Sequence, residues 1–401
     1  MKYSKRYIVF GVLVAAMLIF KLEPGASGSG TVENFRGANL QATTWNPLIA
    51  SSVNDNLLSL VIDNKEYTNE NHTFYMDDQL NIMVPVNILR DALSCSAHVY
   101  DGKRLLVEKH ANEVEFSLGA SEAKVNGTRE AIVSPFICKD DTYYVSLNDL
   151  ANYLDYSYSW DIHENQASAL DTSDSATIIP TRYDLREKGR AAAVRNQGTF
   201  GTCWAFAALG ALESLLPEEK LQFSVDHMTM NNGFTLTQDD GGEYTMGMAY
   251  LAAWEGPVYE ADDPYGDNKT NPELTAVKHV QEMQIIDGKD YEKIKESVFL
   301  YGGGQTSIYN GLRSSQSKSP YYNQKTNSYC YIGTEKPNHD VVIIGWDDSY
   351  SKENFNVDLE GDGAFICQNS WGDTFGEDGV FYISYYDTNI GTHNVVYTKI
   401  E

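Results

Sequence analysis

The feature that most constrains the fold is a glycine-rich approach to an apolar run, in the segment Arg195–Ala207, RNQGTFGTCWAFA. Two glycines and Thr202 precede an Ala- and Leu-rich stretch that continues as far as Pro217. Glycine permits sharp turns, threonine is a favoured N-cap and proline ends helices. The pattern therefore predicts a buried helix that is capped by Thr202 and begins at Cys203.

A cysteine in the first turn of a helix is well placed for chemistry. Backbone N–H groups and the helix dipole point at its sulfur, so we expect a lowered pKa for the Cys203 thiol and a favoured thiolate. The alternative for any single cysteine is a buried structural role. That alternative does not explain the glycine-rich approach, Gln197 shortly before the cysteine or Trp204 directly after it. We interpret Cys203 as a nucleophile.

Two downstream segments supply partners for a thiol. His339 stands at the start of a strongly apolar run that ends at Trp346, which predicts a buried strand. A second apolar run leads to Asn369, and Trp371 follows closely, where its ring could shield a hydrogen bond from water. Each signal is weak alone. Their joint occurrence, in the order cysteine, histidine, asparagine, is specific for a nucleophile with a base and an orienting amide.

At these residues the chain resembles the papain family of cysteine peptidases, over about residues 180–401. The resemblance implies an α+β fold, with a two-lobed catalytic domain made of a helical lobe and a β-barrel-like lobe. It implies that Cys203 is the nucleophile, His339 the general base and acid, and Asn369 the residue that orients the histidine. The side chain of Gln197 and the Cys203 N–H would form the oxyanion hole. The interval from Cys203 to His339 fits the family's roughly 130–150 residues.

The same resemblance implies a set of substrate-binding residues. Gly241 and Gly242 match the segment that pairs with the substrate backbone, where glycine allows close approach. Asp340, directly after the histidine, would line the pocket for the side chain two positions before the scissile bond. Tyr244 would form the opposite wall of that pocket, and Trp371 would stand beside the catalytic histidine. A carboxylate facing an aromatic ring favours Arg or Lys; the alternative is that Asp340 turns away and caps a turn.

Two departures from the family pattern are visible. Phe200 stands where the family usually has a cysteine, so the neighbouring disulfide cannot form. The acidic stretch Asp347–Asp362 lengthens the interval between the histidine and the asparagine; we interpret it as a surface loop with only a weak calcium motif. The family's usual helical inhibitory prosegment is not recognisable. We expect neither a metal nor a cofactor.

The sequence before residue 167 contains an internal repeat. The block Val84–Leu93 recurs as Val145–Leu154, and each block has the spacing of a short amphipathic helix that turns its leucines inward. A strand is predicted at Arg104–Glu108, and Asn126-Gly127 predicts a tight turn.

Residues 55–166 resemble the N-terminal module of copper amine oxidases, which is also an accessory domain of bacterial surface proteins. The resemblance implies a small, non-catalytic α+β repeat domain and no copper. We interpret the histidines of this region, which lack ligand-like spacing, as solvated loop residues: His72, His98, His110 and His163.

The N-terminus predicts export. Lys2, Lys5 and Arg6 precede the apolar run Tyr7–Phe20, the layout of an export signal. Residues 1–22 are therefore a signal peptide or a membrane anchor, and both remain open. Residues 23–54 are predicted to be a flexible linker and residues 167–179 a second linker before the peptidase domain at 180–401. We expect an extracellular or outward-facing protein whose N-terminal domain contacts the cell envelope.

Charge and length narrow the function class. The chain has 401 residues, which is enough for two domains. Its formal net charge is −26, and a negative charge of this size repels phosphate backbones, so we expect no binding to nucleic acid. The main interpretation is an exported endopeptidase that cleaves protein or peptide substrates through an acyl-enzyme thioester. Two alternatives stay open: a surface adhesin or scaffold with an idle peptidase fold, and a cysteine-dependent transpeptidase.

The cysteine count generates a first prediction. Of the five cysteines, Cys203 is expected to be free and Cys95 and Cys138 lie in the other domain, which leaves only Cys330 and Cys367 as an intra-domain pair. Nothing in the sequence brings that pair together, so we expect five free thiols. Thiol titration under denaturing, non-reducing conditions measures this, and three or fewer thiols would contradict it.

Overall fold

The computed structural model describes residues 58–68, 74–161, 164–173, 179–267, 269–312 and 319–401. The predicted signal or anchor (1–22), the first linker (23–54), His72 and His163 lie outside those residues. The described residues belong to one compact unit. Within it we distinguish an N-terminal domain (58–173) and a C-terminal domain (179–401), each with its own hydrophobic core.

The N-terminal domain combines short strands with two short helices. Its described strands form three sheets, in the orders β12-β13-β1-β2, β10-β11-β4-β3 and β5-β6-β7-β8-β9. A 3-10 turn at Val86–Ile88 precedes the first helix. The elements are β1 (Ser59–Ile62), β2 (Lys65–Thr68), β3 (Tyr75–Met76), β4 (Ile82–Pro85), α1 (Leu89–Leu93), β5 (Ser96–Tyr100), β6 (Arg104–Lys109), β7 (Asn112–Ser117), β8 (Glu122–Val125), β9 (Thr128–Ala131), β10 (Ile137–Lys139), β11 (Thr142–Ser146), α2 (Leu147–Tyr153), β12 (Tyr156–Asp161) and β13 (Gln166–Asp171).

The repeat produces the helices that its spacing predicts. Leu89 and Leu93 of α1 are buried, as are Leu150 of α2 and Leu154 directly after it. The predicted turn at Asn126-Gly127 joins β8 and β9, with φ values of 50° and 81° that suit a tight hairpin. Local periodicity and turn chemistry therefore determine much of this domain.

Two predictions about this domain are wrong. Residues 167–171, expected in a linker, form most of β13, which pairs in parallel with β1 and antiparallel with β12. The alternation that buries Ala167 and Ala169 makes this segment a central strand. His98, expected in a solvated loop, lies on β5 and is only 3% exposed. His110 directly follows β6 and is half-buried.

The C-terminal domain packs helices against one long sheet. Eight strands follow the order β15-β22-β16-β19-β20-β21-β18-β17, and β14 pairs with β19 beside them. A 3-10 turn lies at Lys352–Asn354. The elements are β14 (Arg182–Asp184), α3 (Cys203–Ser214), α4 (Val225–Met230), α5 (Tyr244–Ala252), β15 (Val280–Asp287), α6 (Tyr291–Leu300), β16 (Gly304–Ile308), β17 (Tyr322–Asn323), β18 (Ser328–Tyr329), β19 (His339–Asp347), β20 (Ala364–Gln368), β21 (Val380–Ser384) and β22 (His393–Ile400).

Helix α3 and strand β19 position the site. Every residue of α3 after Cys203 is buried, because small side chains let the helix approach the sheet closely. A Cβ on Gly210 would lie 3.3 Å from Val342 of β19, so glycine sets the distance between these elements. Strand β19 lies between β16 and β20 and is buried from His339 to Trp346.

The acidic loop is more ordered than its charge suggests. Phe355 and Leu359 are buried against Cys330 and Ala364, so part of the predicted surface loop packs onto the sheet. Strand β22 follows β21 and pairs with β15. In the described ranges, no helix has both the length and the apolar composition that a membrane span requires.

Candidate active site

Helix α3 begins at Cys203, as the sequence predicts, but the predicted cap is wrong. Thr202 occupies the N-cap position, yet its side chain makes no capping hydrogen bond. Its hydroxyl lies 2.7 Å from the Tyr265 hydroxyl instead. Tyr265 donates to the backbone oxygen of Gln197 at 2.9 Å, so the threonine hydroxyl is the donor in the first bond. This chain of bonds ties the start of α3 to the approach segment.

The predicted lowering of the Cys203 pKa is also wrong for this conformation. Burial raises the pKa of the thiol to about 12, and the nearby carboxylate of Asp340 acts in the same direction. The backbone N–H groups of Asp340, Trp204 and Cys203 lower it, as a helix start should, but by less. Because the Asp340 N–H donates to the sulfur, the sulfur lies beside the start of β19, next to His339 in sequence.

His339 and Asn369 are brought together by neighbouring strands. His339 is the first residue of β19 and Asn369 directly follows β20; the His339 Nε2 lies 2.8 Å from the Asn369 Oδ1. The same oxygen accepts the Ser370 N–H at 2.8 Å, which fixes the orientation of the amide. An amide oxygen only accepts, so the imidazole proton lies on Nε2 and Nδ1 is left as the basic atom.

Trp371 and Phe375 cover this hydrogen bond. The Trp371 ring lies 5.1 Å from the His339 ring, and Phe375 lies 5.0 Å from Trp371 in an edge-on contact. The pKa of His339 is lowered to about 4, because burial lowers it by more than the hydrogen bond to Asn369 raises it. The imidazole is therefore held neutral, with its orientation fixed.

Gln197 is held from both ends of its side chain. Its Nε2 donates to the Phe200 carbonyl at 2.7 Å, and its Oε1 accepts from the Ser370 hydroxyl at 2.7 Å. Its backbone N–H donates to the Ser370 carbonyl at 2.8 Å. A primary amide has two N–H donors, so one hydrogen on Nε2 remains for another acceptor.

The glycine pair lies along the start of α3. A Cβ on Gly201 would come within 2.7 Å of the Gly241 Cα, and one on Gly242 would overlap the Trp204 indole. Gly241 has a φ of +83°, a conformation that favours glycine. Gly242 is therefore required by close approach and Gly241 by its backbone conformation, and the contacts with Gly201 and Trp204 place this segment beside Cys203.

The Asp340 carboxylate does not cap a turn. It is 7% exposed and accepts hydrogen bonds from the Gln305 Nε2 at 2.9 Å and the Ser307 hydroxyl at 2.7 Å, both on β16. Burial raises its pKa to about 6. Tyr244 stacks on His393 at 5.3 Å and lies close enough to Asp340 to feel its charge.

Sequence reasoning missed three polar residues that hold this site: Ser370, Gln305 and Ser307. Ser370 binds both Gln197 and Asn369, and its position directly after Asn369 was the available signal. Gln305 also donates to the Trp204 carbonyl at 3.1 Å, which links β16 to α3. A polar residue in a short, buried strand gives no signal of that partner.

Among the described residues, no cluster of three His, Cys, Asp or Glu side chains could hold an ion. In the acidic loop, the Lys352 Nζ donates to the Leu359 carbonyl at 3.2 Å, and Asp362 accepts the Lys352 N–H. All five cysteines are free thiols.

Comparisons with known proteins identify both domains. Residues 179–400 match the model of the papain family cysteine protease, and residues 61–169 match that of the copper amine oxidase N-terminal domain. The cysteine protease Amb a 11.0101 of Ambrosia artemisiifolia is 28% identical over 52% of this chain and 51% of its own length. A viral cathepsin of Choristoneura fumiferana defective polyhedrosis virus is 28% identical over 55% of this chain and 64% of its own. The chain thus spans about half to under two thirds of these relatives.

A solved structure is similar as well. The cysteine protease and lectin-like domains of Cwp84, a surface layer associated protein of Clostridium difficile, are 28% identical, with a TM-score of 0.50 over 55% of this chain and 52% of that one. Because the family match covers more than half of the residues, the chain belongs to the papain family of cysteine proteases.

Proposed function

We propose that the chain is an exported cysteine endopeptidase that hydrolyses peptide bonds with Cys203, His339, Asn369 and Gln197. The observation that carries this proposal is the 2.8 Å bond between the His339 Nε2 and the Asn369 Oδ1 under Trp371. It leaves Nδ1 unprotonated at the start of β19, where the Asp340 N–H already points at the sulfur. A base without a proton beside a thiol is the arrangement that nucleophilic catalysis needs.

The geometry supports the following sequence of bond changes. His339 Nδ1 takes the proton of the Cys203 thiol while the sulfur attacks the substrate carbonyl carbon. The developing oxyanion accepts hydrogen bonds from the remaining N–H of the Gln197 Nε2 and from the Cys203 backbone N–H. The imidazolium then gives its proton to the leaving amine, and the C–N bond breaks to leave a thioester. Water, deprotonated by His339, attacks the thioester and releases the acid and the thiol.

The charges of the resting site follow from burial. Burial opposes a lone thiolate and a lone imidazolium, which is why the pKa of Cys203 is raised and that of His339 lowered. Moving the proton from sulfur to ring creates both charges together, and their attraction offsets part of that cost. The Asn369 oxygen stabilises the imidazolium further. The ion pair is therefore a step of the attack rather than a stable state of each group alone.

Export and location rest on the sequence and on similarity. The basic start and apolar run before residue 22 support export. A surface layer associated cysteine protease among the similar structures supports an outward-facing enzyme that acts on proteins or peptides. The N-terminal domain is proposed to contact the cell envelope.

The nucleophile is tested by Cys203→Ala. Loss of the attacking sulfur should lower peptide hydrolysis by about 10⁴-fold or more with an unchanged melting temperature. Cys138→Ala, which removes an exposed thiol in the N-terminal domain, is the matched control and should retain full activity. Iodoacetamide should label Cys203 in the active protein, and mass spectrometry of the products with an added amine separates hydrolysis from transpeptidation. Normal hydrolysis by Cys203→Ala would refute the mechanism.

The role of Asn369 is tested by pH. With a His339 pKa of about 4, kcat/KM should hold above that value and fall as pH drops through it, because the base becomes protonated. Asn369→Ala removes the bond that raises this pKa, so the acidic limb should move to lower pH. Activity should also fall about 10- to 100-fold as the ring loses its orientation. Asn356→Ala, in the acidic loop, should change neither quantity; an unshifted limb in Asn369→Ala would contradict the assignment.

Asp340 supports a preference for a basic side chain two positions before the scissile bond. Its carboxylate is bound only by the neutral donors Gln305 and Ser307 in the described contacts, and Glu243 adds negative charge. The stacked rings of Tyr244 and His393 border the same region. A buried carboxylate without a cation is stabilised by an incoming guanidinium or ammonium group. We therefore assign Arg or Lys to that position of the substrate.

A positional peptide library tests this preference. Above pH 6, where Asp340 is charged, Arg or Lys should exceed Leu by about 10- to 100-fold, which corresponds to roughly 1–3 kcal/mol. The preference should fade as pH drops through about 6, whereas cleavage of a Leu substrate should show no step there. Asp340→Asn should remove the preference at every pH. A library in which Leu or Val leads, with an unchanged profile in Asp340→Asn, would exclude the charge pairing.

A further inference from the structure

The two domains meet at the end of the C-terminal domain opposite Cys203. Helix α3 begins at Cys203 and ends at Ser214, about 18 Å away for its 12 residues. Ser214 contacts Gly302 and Gly303, directly after α6. Strand β19 likewise begins at the site and meets β14 at its other end. The contacts with the N-terminal domain come from β14, from residues 185–190 after it, from α6 and, at an exposed edge, from Lys220 after α3.

Lys188 forms the charged part of this contact. Its Nζ lies 2.7 Å from the Glu108 carboxylate on β6 and 2.8 Å from the Glu113 carboxylate on β7. Its backbone carbonyl accepts a hydrogen bond from the Tyr100 hydroxyl at 2.9 Å. Glu108 also accepts the Tyr183 hydroxyl at 3.3 Å. One lysine is therefore held by three residues of the N-terminal domain.

Arg190 forms the buried part. The side chain is 1% exposed, and its Nη1 donates to the Ser96 hydroxyl on β5, to the Tyr183 hydroxyl on β14 and to the Phe299 carbonyl on α6. A guanidinium group that is buried between two domains would become exposed if they separated, and Ser96, its acceptor in the N-terminal domain, would lose this donor. Such a contact specifies one orientation of the partner.

We infer that the N-terminal domain is a lasting partner of the C-terminal domain, docked through Lys188 and Arg190, and that it stays bound when the connecting chain is cut. The contact lies at the far ends of the two elements that present Cys203 and His339. The described part of the domain therefore supports these elements from the side opposite Cys203 and His339. The inference concerns binding and does not depend on peptidase activity.

A cleavable connection tests the inference in the full chain. A recognition sequence for a specific protease replaces residues 174–178 in the Cys203→Ala background, which prevents self-digestion. After cleavage at pH 7.5, size-exclusion chromatography and native mass spectrometry should show one complex of both fragments at micromolar concentration. Separate fragments that each keep the melting temperature of the intact chain would overturn the inference.

Charge variants test which residues hold the complex. Lys188→Gln should raise the dissociation constant of the cut complex by tenfold or more, and Glu108→Gln should add little to it in the double variant. Asp101→Asn is the matched control, because it removes a 3.5 Å ion pair with Lys220 in which both side chains are exposed. It should change the dissociation constant less than twofold. Equal effects of Lys188→Gln and Asp101→Asn would contradict the assigned contact.

His98 makes the same contact sensitive to acid. It lies on β5 with its ring near the Leu300 carbonyl, and among the described residues neither ring nitrogen has a partner in hydrogen-bond geometry. Burial and the guanidinium groups of Arg190 and Arg90 hold its pKa well below its usual range. The charged and titratable groups around these two arginines are Asp91, Cys95, Tyr100, Glu108, Tyr183, Lys188, Glu218 and Tyr301.

The sign of the pH effect follows from the histidine. The separated domain binds a proton on His98 below about pH 6.5 and the docked one does not, so acid favours separation. Between pH 7.5 and 5 the dissociation constant of the cut complex should rise by about 30-fold, the ratio expected for one such proton. His98→Asn should lose this pH dependence while Lys188→Gln keeps it. A pH dependence that persists unchanged in His98→Asn would refute the role of the histidine.

Discussion

The antiparallel pairing of β19 with β20 is the constraint on which the site depends. Val342 lies opposite Gln368, so Asn369 emerges from β20 diagonally across from His339 on the neighbouring strand. This register brings the ring and the amide to 2.8 Å without any flexible loop between them. A shift by one residue would turn one of the two side chains to the other face of the sheet. Helix α3 then needs only one fixed distance from β19, set at Gly210, to place the sulfur.

Burial gives this arrangement its chemistry as well as its stability. The same exclusion of water that holds the imidazole neutral also raises the pKa values of the thiol and of Asp340. Each group is compensated by neutral donors and acceptors, chiefly amides and hydroxyls, so the site contains no permanent ion pair among these groups. Attraction between charges that appear together during the attack acts in a medium of low dielectric, where it is stronger than in water. The cost of creating charge and the stabilisation of charge therefore have one physical origin.

Local patterns predicted the elements, and long-range partners decided what the pattern could not show. The start of α3 at Cys203, the inward leucines of the repeat and the hairpin at Asn126 follow from residues close in sequence. The predicted cap by Thr202 is wrong because the Thr202 hydroxyl is hydrogen-bonded to Tyr265, which is distant in sequence. The predicted lowering of the Cys203 pKa is wrong because burial raises this pKa by more than the N–H groups at the helix start lower it. The histidine spacing could not show that His98 is buried, because Arg190 and Leu300, which lie beside it, belong to the other domain.

The two ends of α3 and β19 have different chemical characters, and this separates stability from reactivity. At one end the chain leaves a sulfur and a ring nitrogen without strong partners, which costs stability but permits reaction. At the other end, buried and charged groups such as Arg190 and Lys188 are bound by several acceptors from two domains. Rigid elements transmit position over their length, so order imposed at the docked end limits the displacement of the reactive atoms. The polar nature of that contact favours one orientation, because the Arg190 Nη1 and the Lys188 Nζ donate to acceptors at fixed positions, whereas apolar packing tolerates more rotation.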